Sequence, residues 1–300
     1  MEPWIGLTLL GVLIQSGRTA LQKTLVDRLS VGGATYARFL YGAPLAWLMV
    51  VGVLAATGQA LPRPGLLFFA YIIAGGFAQI LGNATFIHLI RASNFTVIST
   101  YAKTETILSA LLSFILLGDV LSIIGLVGVV ITFAGMVVLA AGGSTTPRAL
   151  LGSFTSKAML YGMGVGAFYA VGSTAYRGAI LTLESGDRML AALFTLACVS
   201  LIQAISMGAW LAVNQPAVLR ETLRAWRVAM WIGVTGAGAS AAWYMAFSQQ
   251  VTAYVLAVGQ VELVITFLYS HYLFKERVTA GELAGIFVTI AGILLVVLAP

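Results

Sequence analysis

The chain has 300 residues, 60 % of them hydrophobic and only 9 % charged, with a mean hydropathy of +0.99 and a formal net charge of +6. Soluble domains carry roughly a quarter charged residues, so this composition excludes an ordinary soluble enzyme and describes an integral membrane protein. No nucleotide, metal or nucleic-acid motif stands out and no cofactor is called for, while the single cysteine, Cys198, forbids an intrachain disulfide.

Apolar runs of about 20 residues, the length that crosses a bilayer, recur along the whole chain. The first begins "PWIGLTLLGVLIQSG" without the basic stretch of a cleaved signal, so it reads as a span of the mature protein. Breaks at glycine, proline and charge clusters predict ten spans: 4–26, 33–56, 66–90, 94–117, 120–142, 157–181, 188–213, 227–248, 250–274 and 278–299.

Polar residues fall on stripes along these spans. Gln15, Arg18 and Gln22 share a face of span one, and Arg38 lies near the end of span two, where its head can snorkel to the surface. Span three offers Gln79, Asn83 and Phe86, span four Tyr101, Lys103 and Glu105, and span six Tyr169, Ser173 and Tyr176. Ser240, Trp243 and Tyr244 follow in span eight and Glu262 in span nine.

Basic residues are shared unevenly between the two sides. Lys23, Arg28, Arg91, Arg148, Lys157, Arg220, Arg224, Arg227, Lys275 and Arg277 face one side, against Arg63, Arg177 and Arg188 on the other. The positive-inside rule makes the first side cytoplasmic and both termini external. Within this set "LRETLRAWR" reads as a cytoplasmic anchor with Trp226 at headgroup level, or alternatively as a lipid-binding interfacial helix.

The break at 142–153 divides the chain into halves, 1–145 and 146–300, and a shift of 157 residues aligns 105–141 with 262–298 at nine identities in 37 positions. "GVVITFAG" (128–135) matches "GIFVTIAG" (285–292) at Gly, Thr, Ala and Gly. Five spans per half is an odd number, so the second copy enters the membrane from the opposite side. The expected fold is an all-α membrane protein of ten transmembrane helices in two inverted five-helix repeats, together one transport domain. Secondary transporters recur in this form, with a substrate cavity near the midplane.

"KTETILSALLSFILLGD" with "GVVITFAG", and "QVELVITFLYSHYLFKER" with "GIFVTIAG", resemble the EamA-type drug/metabolite transporter superfamily over essentially the whole chain. The similarity is greatest to bacterial amino-acid exporters of the YddG kind. Where that pattern often has Gly-Glu after the fourth span, Asp119 stands here, with Lys275 and Glu276 in the second copy. The resemblance implies a multi-pass protein of the bacterial inner membrane, without enzymatic activity. Its partners would be a small-molecule substrate and the lipid bilayer, not nucleic acid, with a monomer as the working unit.

Glu105 and Glu262 are repeat mates, whereas the position of Lys103 is Gln260 in the second copy. A charge at the bilayer centre costs roughly 2.5–3.5 kcal/mol, so Arg18, Lys103, Glu105 and Glu262 together cost on the order of 10 kcal/mol unless paired or hydrated. Lys103 and Glu105 are two residues apart, about 200° round a helix, and cannot pair with each other. In the transport reading Arg18 or Lys103 holds a substrate carboxylate, Glu105 or Glu262 holds an ammonium group or braces Lys103, and Tyr101, Trp243 and Tyr244 receive an apolar or aromatic side chain. Gln15, Gln79, Asn83, Tyr169, Tyr176 and Ser240 complete the cavity, and each has a second reading as a group that hydrogen-bonds between helices. Exporters of cationic drugs and carriers of sugar phosphates are the transport alternatives; an intramembrane enzyme lacks any supporting motif.

Overall fold

The computed structural model describes residues 2–92, 102–140, 157–262, 264–265 and 279–299. Tyr101, the midchain break with Arg148, and the end of span nine with His271, Lys275, Glu276 and Arg277 lie outside the described residues. The described chain is helical: α1 (Pro3–Thr57), α2 (Leu66–Ala92), α3 (Glu105–Leu117), α4 (Ile123–Ala140), α5 (Lys157–Leu181), α6 (Arg188–Asn214), α7 (Pro216–Arg224), α8 (Trp226–Gln249), α9 (Thr252–Gly259) and α10 (Ala280–Leu298). Gly32–Thr57, Leu66–Phe86 and Arg188–Asn214 are each long and apolar enough to cross a membrane.

Spans one and two, expected to be separated by several loop residues, instead form one helical run broken only at Ser30 (φ 50°, ψ 168°). Few residues other than glycine occupy that region. The Ser30 hydroxyl accepts a hydrogen bond from the Gly33 N–H at 3.3 Å, which caps the second segment as serine does at helix starts. The segment "LRETLRAWR", read as an anchor or an interfacial helix, is largely helical. Its first residues form α7, which buries Thr222 and leaves Arg220, Leu223 and Arg224 exposed.

The helices gather into two compact units, Met1–Ala84 with Gly172–Gln250, and Thr85–Val171 with Val251–Pro300. Neither coincides with a sequence half; each draws helices from both. In the first unit α1 packs along α8, and the two approach closely at Gly42 and Gly233, where a Cβ on Gly233 would stand 2.8 Å from the Gly42 nitrogen. Arg177 fastens the far end of α8 by donating from Nη1 to the carbonyls of Phe247 (2.6 Å) and Gln250 (2.8 Å). Those carbonyls end a helix and have no partner within it, so a buried guanidinium is a fitting cap.

In the second unit α4 and α10 run antiparallel at very short range. A Cβ on Gly128 would stand 2.9 Å from the Gly292 carbonyl oxygen, and one on Gly135 would stand 2.9 Å from that of Gly285. Gly128 and Gly285 are repeat mates, as are Gly135 and Gly292, so each glycine meets the mate of the other one. Thr132 and Thr289, also mates, turn their hydroxyls back onto the carbonyls of Gly128 (2.8 Å) and Gly285 (2.9 Å) and bury their polar atoms within their own helices. Beside this seam the Tyr254 hydroxyl of α9 accepts the Ser122 N–H at 3.0 Å and occupies space left by Gly125.

Alanine at Gly135 must push two backbones apart, which costs about 1–3 kcal/mol for overpacking and exceeds the gain in helix propensity of about 1 kcal/mol. Gly135→Ala and Gly292→Ala are expected to lower the thermal midpoint of the detergent-purified protein. Gly164→Ala, whose Cβ meets nothing within 4 Å, is expected to be neutral or stabilising. The same response at all three positions would show that close approach is not why glycine stands there.

Candidate functional site

The middle of the first unit is polar. Gln79 lies about 20 Å from either end of α2 at 1.5 Å per residue, and its Oε1 accepts the Gln203 amide N–H of α6 at 2.8 Å. The Tyr176 hydroxyl of α5 stands 3.0 Å from the same oxygen and 2.9 Å from the Gly75 carbonyl, so its one proton serves either acceptor. The second amide hydrogen of Gln203 goes to the Gly76 carbonyl at 3.2 Å. Tyr176 is packed where a side chain on Gly75 would otherwise sit: a Cβ there would come within 2.8 Å of its ring. Tyr244 of α8 stacks on Tyr176 with centroids 4.7 Å apart and planes 25° from parallel.

Next to this network is a chamber of about 10 Å³, room for one water-sized sphere, walled by Arg38, Gln79, Ser200, Gln203, Ser240 and Tyr244. Arg38 therefore does not snorkel away from the interior; its Nη2 donates to Ser240 Oγ at 3.3 Å. Of the expected site residues the structure brings together Gln79, Tyr176, Ser240 and Tyr244, and it adds Arg38, Ser200 and Gln203. Ser200 and Gln203 stand at i, i+3 in span seven and so share a face, a short stripe that the reading of the other spans passed over. The available signal is an amide carried deep inside an apolar span.

Trp243 is one residue, about 100°, away from Tyr244 and faces elsewhere. Its indole lies against Gly11 of α1, with Nε1 3.2 Å from the place of a Gly11 Cβ and without a hydrogen-bond partner among the described residues. Arg18 is 8 % exposed. Gln15 and Asn83 are half-buried and engaged with neighbours of their own.

The second unit holds the charge pair. Lys103 Nζ stands 3.4 Å from Glu262 Oε2, with the two side chains 24 % and 20 % exposed. Glu105 is therefore not the partner of Lys103, as the angular separation requires. It sits in the first turn of α3, half-buried, rather than deep within a continuous described helix. Tyr169 of α5 lies 6.5 Å from Phe86, centroid to centroid.

Both copies leave the α-helix at one repeat position. Lys103 and Thr104 form a turn before α3, and Gln260, the mate of Lys103, forms one after α9. The Gln260 side chain is buried and donates to Thr106 Oγ1 (3.3 Å) and to the Leu256 carbonyl (2.9 Å). Interrupted helices at matching places in two repeats mark binding sites in transporters.

Removing either member of a half-buried ion pair takes this counter-charge from the other, so Lys103→Met and Glu262→Leu should each destabilise the protein, whereas the double variant loses less than the sum of the two. A thermal or denaturant double-mutant cycle is expected to give a coupling of about 1–3 kcal/mol. Strictly additive effects would mean that the 3.4 Å approach contributes nothing to folding.

A model of the EamA-like transporter family matches the chain twice, at residues 2–141 and 156–298. A crystal structure of another protein superposes with a TM-score of 0.70 over 98 % of this chain and 95 % of the other. The two are 15 % identical, so this likeness speaks for the fold alone. None of the curated proteins compared matches the chain. With the family model covering nearly the whole length in two copies, the chain belongs to the EamA-like transporter family and is a multi-pass membrane transporter.

Proposed function

We propose that this transporter exports small metabolites, neutral and aromatic amino acids foremost, across the bacterial inner membrane by alternating access of two inverted five-helix repeats. The observation that carries the reading is the origin of the polar chamber. Arg38 and Gln79 come from the first family match and Ser200, Gln203, Ser240 and Tyr244 from the second. A polar interior to which both copies contribute is what the substrate cavity of a repeat-built transporter requires. The antiparallel exchange of repeat-mate glycines between α4 and α10 supports the inverted arrangement.

Amino acids suit interior surfaces that carry cationic, acidic and aromatic groups, and the reading agrees with the sequence similarity to exporters of the YddG kind. The arginine in the chamber wall favours, as a second reading, a carrier of sugar phosphates over an exporter of cationic drugs.

Purified protein reconstituted into liposomes is expected to show saturable counterflow of at least one labelled neutral or aromatic amino acid. Competition by sugar phosphates, with no flux of any amino acid in the panel, would replace this substrate class with the second reading. Flux that neither saturates nor shows counterflow would indicate a channel instead of a carrier.

A further inference from the structure

We propose that the first unit holds one anionic phospholipid of the surrounding leaflet, its phosphate on Arg220 and Arg224 of α7 and one acyl chain in an apolar groove between α1 and α6. The groove is the first observation. Its volume is about 510 Å³, within the roughly 300–1,000 Å³ of sites that hold a drug-sized molecule. Tyr36, Leu40 and Trp47 form one wall and Leu201, Ile205 and Gly208 the other. Both walls belong to helices long and apolar enough to cross a membrane, and Leu201 and Ile205 are exposed, so the groove opens sideways onto lipid.

Its length fits a single lipid chain. At one end Tyr36 lies over Gly208, where a Cβ would stand 2.6 Å from the tyrosine hydroxyl; beyond the other end Trp47 meets Phe194 edge to face, with centroids 5.9 Å apart. The helices are therefore antiparallel, and the groove runs from Tyr36 to Trp47, about 16 Å at 1.5 Å per residue. One leaflet contributes about 15 Å to a hydrocarbon core of about 30 Å.

The second observation is the cationic helix at the Tyr36 end. There α6 stops at Asn214 and the chain turns at Gln215 into α7. Val218 and Leu219 of α7 pack on the cluster of Tyr36, Phe39, Met207 and Leu211, against which Leu40 of the groove wall also packs. Thr222 is buried beside Gly33, where a Cβ would stand 2.8 Å from its Oγ1, and its carbonyl accepts the Tyr41 hydroxyl at 3.4 Å. One side of α7 is thus fixed at the mouth of the groove while the other is turned outward.

Arg220 and Arg224 lie one turn apart on that outer side, and among the described residues neither pairs with Glu221 or with any other acid. Trp226 follows, exposed, with the Arg227 guanidinium 5.5 Å from its ring centroid, an arrangement suited to the headgroup layer. Three arginines against one glutamate favour a headgroup with net negative charge, and guanidinium groups match its phosphodiester oxygens. A zwitterionic headgroup brings its own cation to the phosphate and gains less. Free phosphate carries no chain for the groove.

The test follows the thermal midpoint of the purified protein in maltoside detergent during titration with dioleoyl-phosphatidylglycerol, dioleoyl-phosphatidylcholine or inorganic phosphate. Phosphatidylglycerol is expected to stabilise saturably, with an apparent affinity about tenfold above that of phosphatidylcholine, which has the same chains. Arg220→Gln combined with Arg224→Gln should cut that preference to about twofold and leave the phosphatidylcholine response unchanged, whereas the paired lysine variant keeps most of it. Ala209→Phe, which adds a ring at the exposed edge of the groove, should weaken both lipids by the same factor. Equal affinity of wild type for the two lipids, or a preference that survives the glutamine pair, would overturn the headgroup site. Lipid affinities unmoved by Ala209→Phe would overturn the acyl-chain groove. Stabilisation by inorganic phosphate equal to that by phosphatidylglycerol, and lost in the glutamine pair, would assign the arginines to a free anion and overturn the lipid.

Discussion

A polar group carried into the hydrocarbon layer must find its partner in the same chain, and this constraint organises both units. In the first, Gln203 and Tyr176 bind Gln79 and the carbonyls of Gly76 and Gly75, so three helices close round a hydrogen-bonded centre. In the second, Lys103 meets Glu262 across 159 residues of sequence. Neither centre could form from one sequence half. The need to satisfy each polar group is thus also what draws helices of both halves into each compact unit.

Small residues make these meetings possible. Lipid tails are as apolar as leucine, so helices in a bilayer gain little from burying greasy side chains against each other and rely instead on close packing. Gly42 and Gly233 bring α1 against α8 beside the chamber, and Gly236 clears the path of the Arg38 stem. Gly128, Gly135 and Gly292 do the same for α4 and α10, where the approach is from backbone to backbone. Glycine is therefore used in two ways: to admit a polar side chain in the first unit and to join two helices in the second.

Much of this was legible in the sequence where a single periodic signal decides. Predicted spans 157–181, 188–213 and 227–248 agree to within one residue at either end with Lys157–Leu181, Arg188–Asn214 and Trp226–Gln249, because charged or capping residues flank uniformly apolar runs. Asp187 illustrates the mechanism: its carboxylate accepts the Met189 N–H at 2.8 Å and starts α6. The joint at Ser30 was not legible, since a one-residue break with positive φ leaves no gap in hydropathy and is held by a single side-chain cap. Arg38 was misjudged for a related reason. Depth along a helix says whether a long cation can reach the surface; its azimuth and its neighbour, Gly236, decide whether it does. Tyr244 and Trp243 show the same limit, as adjacent aromatics on one expected stripe face different surroundings.

The asymmetry between Lys103 and Gln260 takes on a different meaning once the pair is known. A lysine at this position in one copy alone neutralises the acid of the other copy, Glu262, and leaves Glu105 without a matching lysine from the repeat. A duplicated chain with identical copies would give every charge a counterpart of the same sign. Placing the lysine in one copy alone therefore decides which of the two mate acids meets a cation, and the repeats diverge in chemistry where their backbones stay alike, both leaving the helix at this position.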